Sequence, residues 1–237
     1  PPAVLTVLAG FFMEGGAAAA GWTAYPPLSG TQATMGAGQT CWTAGLIFLG
    51  FSSILGSLNY IATIINHRAA GMTFHRLPLS IWALFTTAIL TLLATPVLAS
   101  ALILLLLDRT FGTSFFLPAG MIVDSIPLPH AGGQPLLWQH LFWFYSHPAV
   151  YIMILPAMGL VSDILPTFAR KPIFGYKAIA YASVGIGAVG FLVLAHHMFQ
   201  SGMNPALGTS FMIATMAVAV PTGVKVFSWL GTLWRGS

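Results

Sequence analysis

Long apolar segments separated by short polar connections run through the whole chain. Proline and glycine clusters and the few charged residues mark the limits of these segments. They fall at roughly 3–21, 41–66, 78–107, 136–165, 178–200 and 210–234. Each is near or above the ~20 residues that a helix needs to cross the hydrocarbon core of a bilayer. The pattern therefore predicts an all-α, polytopic transmembrane bundle of about six helices, forming a single membrane domain over residues 1–237.

The composition excludes a water-soluble protein. Hydrophobic residues make up 57% of the chain and charged residues only 5%, whereas a soluble domain carries about 25% charged residues. The formal net charge of +4 comes from so few groups that we expect no nucleic-acid partner and a lipid bilayer as the surroundings. Cys41 is the only cysteine, so any metal site must rely mainly on histidine.

The basic residues indicate the direction in which the helices cross the membrane. Six of the eight lie in alternate connections, namely Arg68, Arg76, Arg170, Lys171, Lys177 and Arg235. By the positive-inside rule these connections face the cytoplasm. The long connection 108–135 is then external, and its role is not assigned. Because both ends of the chain look cut, we expect an internal piece of a longer protein.

Three histidines lie at similar predicted depth in two neighbouring apolar segments. His147 is about 16 Å inside the outer end of its segment, and His196 and His197 lie toward the outer half of the next. Ionisable side chains at membrane depth are costly and usually functional. Three imidazole ligands with an open position suit copper, zinc or iron. The alternative is that such a histidine only donates a hydrogen bond to a backbone carbonyl of a neighbouring helix.

Lys225 is a second ionisable group at membrane depth. It lies about 15 Å from the predicted cytoplasmic end of the last segment, too far to reach water easily. No acid in the same segment pairs with it. Removal from water favours the neutral amine, which would allow proton exchange near neutral pH. The alternative is a long side chain that bonds backbone carbonyls freed by Pro221.

Five short stretches occur in a characteristic order along the chain. They are Gly-Trp-Thr-Ala-Tyr-Pro-Pro-Leu at 21–28, Trp-Gln-His-Leu-Phe-Trp at 138–143, His-Pro-Ala-Val-Tyr at 147–151, His-His-Met-Phe at 196–199 and Pro-Thr-Gly-Val-Lys at 221–225. Together they resemble the catalytic subunit of the haem–copper oxidases, the cytochrome c and quinol oxidases. The resemblance covers almost the whole chain and implies the third to eighth helices of a twelve-helix core.

The resemblance implies roles for individual residues. His147, His196 and His197 would ligate the copper of a binuclear centre, and Tyr151 would be cross-linked to the first of them and donate an electron and a proton. The proton path called the K-channel would contain Lys225, Thr222 and Ser162, and the D-channel would contain Ser52, Ser53 and Asn59. The family's axial histidines for the low-spin and high-spin haems have no match here, since His67, His75 and His130 lie in connections.

One position departs from the pattern of many relatives. They carry glutamate, a proton relay at the end of the D-channel, where this chain has Ala149. The preceding pair, Tyr145 and Ser146, resembles the branch that replaces the acid with Tyr-Ser. Positions 145 and 149 share a helix face one turn apart, so we hypothesise that the Tyr145 hydroxyl substitutes for the carboxylate. The alternative is a tyrosine that only packs or lies at the membrane interface.

The activity implied by the resemblance is the four-electron reduction of O2 to water, with proton uptake and pumping, in a bacterial plasma membrane. Electrons would arrive from cytochrome c or a quinol through other oxidase subunits, including the electron-entry subunit. A nitric oxide reductase relative ranks lower, because those proteins generally lack equivalents of Tyr151 and Lys225. A proton-coupled transporter would explain the buried polar residues without redox chemistry, but the order of the motifs argues against it.

Overall fold

The apolar segments of this chain fold into long α-helices. The computed structural model describes residues 1–32, 36–128 and 132–237, so His130 lies outside the described residues. The helices described are α1 (Pro2–Ala9), α2 (Ala37–Asn66), α3 (Leu79–Phe111), α4 (Pro135–Phe168), α5 (Tyr176–Leu192), α6 (Pro205–Ala217) and α7 (Ala219–Leu233). Two short antiparallel strands, β1 (Ile122–Val123) and β2 (Ile126–Pro127), lie between α3 and α4. The predicted all-α fold is confirmed.

Five helical stretches in the described part of the chain are long and apolar enough to cross a membrane. They are Ala37–Asn66, Leu79–Phe111, Pro135–Phe168, Tyr176–Met198 and Pro205–Leu233. The shortest has 23 residues and extends about 34 Å at 1.5 Å per residue, enough for a hydrocarbon core of about 30 Å. The predicted multi-pass membrane protein is confirmed.

The first and last predicted segments do not form continuous helices over their whole length. The first is helical only to Phe12, because the chain then turns at Gly15 and Gly16, whose φ angles of 85° and 77° suit glycine. The last is divided between α6 and α7 at Val218. Pro221 explains this division, since it has no N–H to donate to the carbonyl four residues earlier.

The structure comprises two compact units, each built from parts of the same long helices. The first unit contains Pro1–Ile54 and Thr95–Tyr145. Within it, the buried carboxylate of Asp108 accepts hydrogen bonds from the Thr113 hydroxyl and from the backbone N–H groups of Phe115 and Phe116. Asp108 therefore fixes the start of the connection that follows α3.

The second unit contains Leu55–Ala94 and Ser146–Ser237. Its core includes Ala83, Leu90, Leu155 and Ile186, contributed by α3, α4 and α5. Asp163 of α4 accepts hydrogen bonds of 3.0 Å from the backbone N–H groups of Leu79 and Ser80, which begin α3. These N–H groups have no partner inside their own helix, so the carboxylate anchors α3 to α4. All three predicted metal ligands belong to this unit.

Candidate metal centre and proton path

Three imidazole rings meet within the second unit. Nδ1 of His147 lies 3.1 Å from Nε2 of His197, and the His196 ring centroid lies 4.4 Å from that of His147 and 4.3 Å from that of His197. One ring nitrogen of each histidine lies within 4.8 Å of the others. Three imidazoles bound to one ion by bonds of about 2.0–2.1 Å place their ligand nitrogens about 3.3–3.6 Å apart. A contraction of at most about 1.5 Å in the longest of these separations is therefore enough for one ion to contact all three rings.

The two neighbouring histidines lie in a 3₁₀ segment rather than in an α-helix. The α-helical backbone of α5 ends at Leu192, and His196 and His197 belong to the 3₁₀ turn Leu194–Met198. No proline or glycine occurs between residues 193 and 199, so the local sequence gives no signal for this change. Successive side chains in a 3₁₀ helix diverge by about 120°. Both imidazoles can therefore face one ion only from the flank of this turn, where the His147 ring lies.

A threonine on α6 fixes the orientation of His196. Nδ1 of His196 lies 2.9 Å from Oγ1 of Thr215, and the same hydroxyl donates to the Phe211 carbonyl at 2.6 Å. Because a hydroxyl has one proton, it accepts a hydrogen bond from Nδ1–H of His196. This tautomer leaves Nε2 with a lone pair for a metal. Sequence reasoning missed Thr215, since a helical threonine bonded to the carbonyl four residues earlier is common.

The buried imidazole of His147 has a ring nitrogen without a partner. Its side chain is 4% exposed, and Nε2 is buried with no hydrogen-bond partner among the described residues. An unpaired buried polar atom costs stability, so the ring suits a site where another group binds it. The donor set of three imidazoles, without thiolate or carboxylate, fits copper and other metals of intermediate softness.

Tyr151 lies one helical turn after His147 and packs against the backbone of α5. The two ring centroids are 4.9 Å apart, with the planes at 75°. A Cβ atom at Gly190 would lie 2.6 Å from Cδ2 and 2.8 Å from Cε2 of Tyr151. The tyrosine can therefore occupy this position only because residue 190 is glycine. The sequence did not identify Gly190, because a glycine in an apolar helix does not reveal which neighbour approaches it.

Lys225 is buried between α4 and α7. It is 0% exposed, and its Nζ lies 3.8 Å from Sδ of Met158. Among the described residues, Lys225 contacts this sulfur rather than a carbonyl freed by Pro221. Thr222, one turn earlier on α7, donates its hydroxyl proton to the Val218 carbonyl at 2.9 Å. The lysine thus lies in an apolar environment and bonds to a weak acceptor.

Ser162 lies one turn beyond Met158, opposite Trp229. Trp229 Nε1–H donates to Oγ of Ser162 at 2.9 Å, and Ser162 donates to the Met158 carbonyl at 2.7 Å. Met158 and Ser162 are four residues apart on α4, as are Lys225 and Trp229 on α7. Two side-chain contacts, one helical turn apart, therefore connect α4 and α7. Trp229 and Met158 were not predicted, although Trp229 shares a helix face with Lys225.

The remaining predicted proton-path residues lie on α2 and α4. Ser146 is buried and Tyr145 is half-buried on α4, with Tyr145 one turn before Ala149. On α2, Ser52 and Asn59 are exposed and Ser53 is half-buried. Their roles in proton transfer stay predictions.

Comparison with known proteins indicates one family. The family described as cytochrome c and quinol oxidase polypeptide I matches residues 1–237. The chain is 52% identical over 236 residues to cytochrome c oxidase subunit 1 of Synechocystis and, equally, to that of Thermostichus vulcanus. It is 50% identical to the same subunit of Cereibacter sphaeroides over 217 residues, 92% of the chain. The resemblance inferred from the five sequence stretches is confirmed.

The matched chain is much shorter than these relatives. The alignments cover 40% of the Synechocystis and Thermostichus vulcanus subunits and 36% of the Cereibacter sphaeroides subunit. The chain thus spans about 40% of the length of the curated relatives that it matches. Together with the five membrane-length helices, these bacterial relatives identify a multi-pass protein of the bacterial plasma membrane.

Proposed function

This chain belongs to the cytochrome c and quinol oxidase polypeptide I family, and we propose that it forms the copper-binding and proton-conducting part of a terminal oxidase catalytic subunit. The whole subunit would reduce O2 to water. Cytochrome c is the favoured electron donor, because the similar proteins are named cytochrome c oxidase subunit 1. The observation that carries the proposal is the convergence of three imidazoles within 4.8 Å beside Tyr151.

Copper is the metal that we assign to His147, His196 and His197. The assignment is supported by the all-imidazole donor set, the 3.1 Å approach of His147 Nδ1 to His197 Nε2 and the tautomer that Thr215 imposes on His196. When bound, copper and the haems supply the redox chemistry of O2 reduction. The haems would be held by residues outside 1–237.

We assign to Tyr151 the donation of its phenolic proton and an electron during the reaction. Its ring lies 4.9 Å from that of His147, and His147 Nε2 has no hydrogen-bond partner among the described residues. A C–N bond between the two rings would occupy this nitrogen; its formation would break one imidazole N–H and one phenol ring C–H bond and release two protons and two electrons, with O2, the substrate of the proposed reaction, as the oxidant. The close approach of the Gly190 backbone also limits the positions that the phenol ring can take. The tyrosine would thus be preorganised, with little reorganisation needed during the reaction.

Lys225 is the residue to which we assign proton transfer toward Tyr151. Along α4, Tyr151 precedes Met158 and Met158 precedes Ser162, and eleven helical steps, or about 16 Å, separate the first from the last. Lys225 lies beside Met158, between the other two. A buried amine that, among the described residues, bonds to a sulfur instead of a carboxylate changes its protonation state readily. Ser162 and Thr222 would complete the path with their hydroxyl groups.

Metal analysis of histidine variants tests this function. The full-length subunit, purified with its partner subunits, is analysed by plasma mass spectrometry and by O2 consumption. We expect His196→Ala and His197→Ala to release one copper per complex and to reduce turnover to background. His67→Ala, which changes an exposed histidine in a connection, should retain both.

Other outcomes of this experiment identify the rival functions. Release of iron instead of copper, with reduction of nitric oxide, would identify a nitric oxide reductase. A complex without haem absorbance that moves protons with a substrate would identify a transporter. The proximity of Tyr151 to the histidines and the burial of Lys225 favour the oxidase.

A further inference from the structure

An apolar groove runs along the surface of the second unit between α3 and α5. It encloses a cavity of about 470 Å3, within the usual range of about 300–1,000 Å3 for ligand pockets. Thr86, Leu90 and Gly187 lie buried at its base. The Thr86 hydroxyl donates to the carbonyl of Trp82, so its proton is already bonded. The cavity therefore suits a hydrocarbon chain.

The groove has the length of one leaflet of a bilayer. Its α3 wall runs from Trp82, one turn inside the helix, to Leu93. The eleven helical steps between them extend about 16 Å, close to half of a hydrocarbon core of about 30 Å. This length matches the distance from a membrane–water interface to the middle of a bilayer. Trp82 and Tyr181 lie at the interfacial end, where such amphipathic rings are enriched.

Basic residues occur in the two chain segments next to the interfacial end of the groove. His75 Nε2 lies 2.8 Å from the Tyr181 hydroxyl, and the Tyr176 hydroxyl donates to the Leu77 carbonyl at 2.5 Å. These bonds attach the connection before α3 to the start of α5. Arg76 and Lys177 are exposed in these two segments; one guanidinium nitrogen of Arg76 donates to the Gly71 carbonyl at 3.3 Å, and Lys177 shares a helix face with Tyr181 one turn later. Residues 67–78 and 169–178 contain no acid, and both carboxylate oxygens of the nearby Asp163 accept hydrogen bonds from the backbone N–H groups of Leu79 and Ser80.

We propose that this groove binds one acyl chain of an anionic phospholipid, whose phosphate contacts Arg76 and Lys177. The apolar cavity accommodates the chain, and the basic rim is complementary to the headgroup. Basic pockets between transmembrane helices are known to bind such headgroups. The inference concerns lipid binding only and does not depend on the oxidase function.

The headgroup is tested by lipid titration of the full-length subunit purified with its partner subunits. The delipidated complex is titrated with dioleoyl phosphatidylglycerol or dioleoyl phosphatidylcholine, and native mass spectrometry counts the lipids retained. The variant with both Arg76→Gln and Lys177→Gln should retain one phosphatidylglycerol fewer than the unmodified complex, with affinity reduced about fivefold for each charge removed. Arg170→Gln, an exposed basic residue outside the groove, is the control. Equal retention by all three proteins overturns the proposal.

The acyl-chain site is tested by filling the groove. Val184→Trp should remove one retained lipid of either headgroup, whereas Leu160→Trp, at a residue 56% exposed outside the groove, should not. A photo-crosslinking amino acid at position 184 should form an adduct with phosphatidylglycerol. A crosslink to protein instead would show that another segment or subunit covers the groove, and this would overturn the proposal. If the Val184→Trp variant does not fold, the crosslink at position 184 tests the proposal independently.

Discussion

Replacement of Gly190 by alanine would move the tyrosine beside the candidate metal centre. The added Cβ atom would lie 2.6 Å from Cδ2 of Tyr151, whereas ordinary contacts begin at 3.4 Å. One of the two groups must therefore retreat by about 0.8 Å, which forfeits packing energy. Such overpacking costs about 1–3 kcal/mol in stability. The displacement is directed at the ring that packs against His147.

The functional consequence follows from the sensitivity of catalysis to geometry. A misplacement of about 1 Å can lower a rate on the order of a hundredfold. We expect O2 consumption of the Gly190→Ala enzyme to fall by about this factor while its copper content stays normal. The fraction of peptides in which Tyr151 is covalently joined to His147, measured by mass spectrometry after digestion, should fall as well.

Gly185 offers a matched control on the same helix. A Cβ atom there would meet only Cβ of Pro221 at 3.7 Å, an ordinary contact. Both substitutions replace a helical glycine and gain the same helix propensity, about 1 kcal/mol, so only the contact differs. Gly185→Ala should retain turnover and cross-link. If Gly190→Ala also retained both, the inferred importance of the tyrosine's position would be wrong.

Three further substitutions in the full-length subunit test individual assignments. Lys225→Met should leave the haem spectra unchanged but block turnover, because proton transfer is lost; normal turnover would contradict the assigned path. Thr215→Val removes the acceptor for His196 Nδ1–H and should weaken copper binding about 10- to 100-fold in a chelator titration, whereas Thr209→Val, at an exposed threonine, should not. Tyr145→Phe should strongly slow turnover if its hydroxyl replaces the missing carboxylate, and full activity would refute that hypothesis.

The sequence predicted those features that depend on local composition. Membrane-length helices were visible because a lipid environment demands about 20 apolar residues in succession. The three histidines and Lys225 were visible because ionisable groups are rare in such segments. In contrast, Thr215 and Gly190 matter only through a neighbour on another helix, which the sequence does not reveal. The 3₁₀ turn that carries His196 and His197 contains no helix-breaking residue, so it too was missed.

The spacing of residues on α4 connects the candidate metal centre to the candidate proton path. His147, Tyr151, Met158 and Ser162 are separated by four, seven and four residues, so they fall within an arc of about 60° on the helix surface. A metal ligand, a phenol, the sulfur beside Lys225 and the hydroxyl bonded to Trp229 thus share one face. Their separations are set by the helix rise rather than by a loop. One residue inserted between Tyr151 and Met158 would rotate Met158 and Ser162 by about 100° around the helix axis. The insertion would thus separate proton delivery from the phenol that uses the proton.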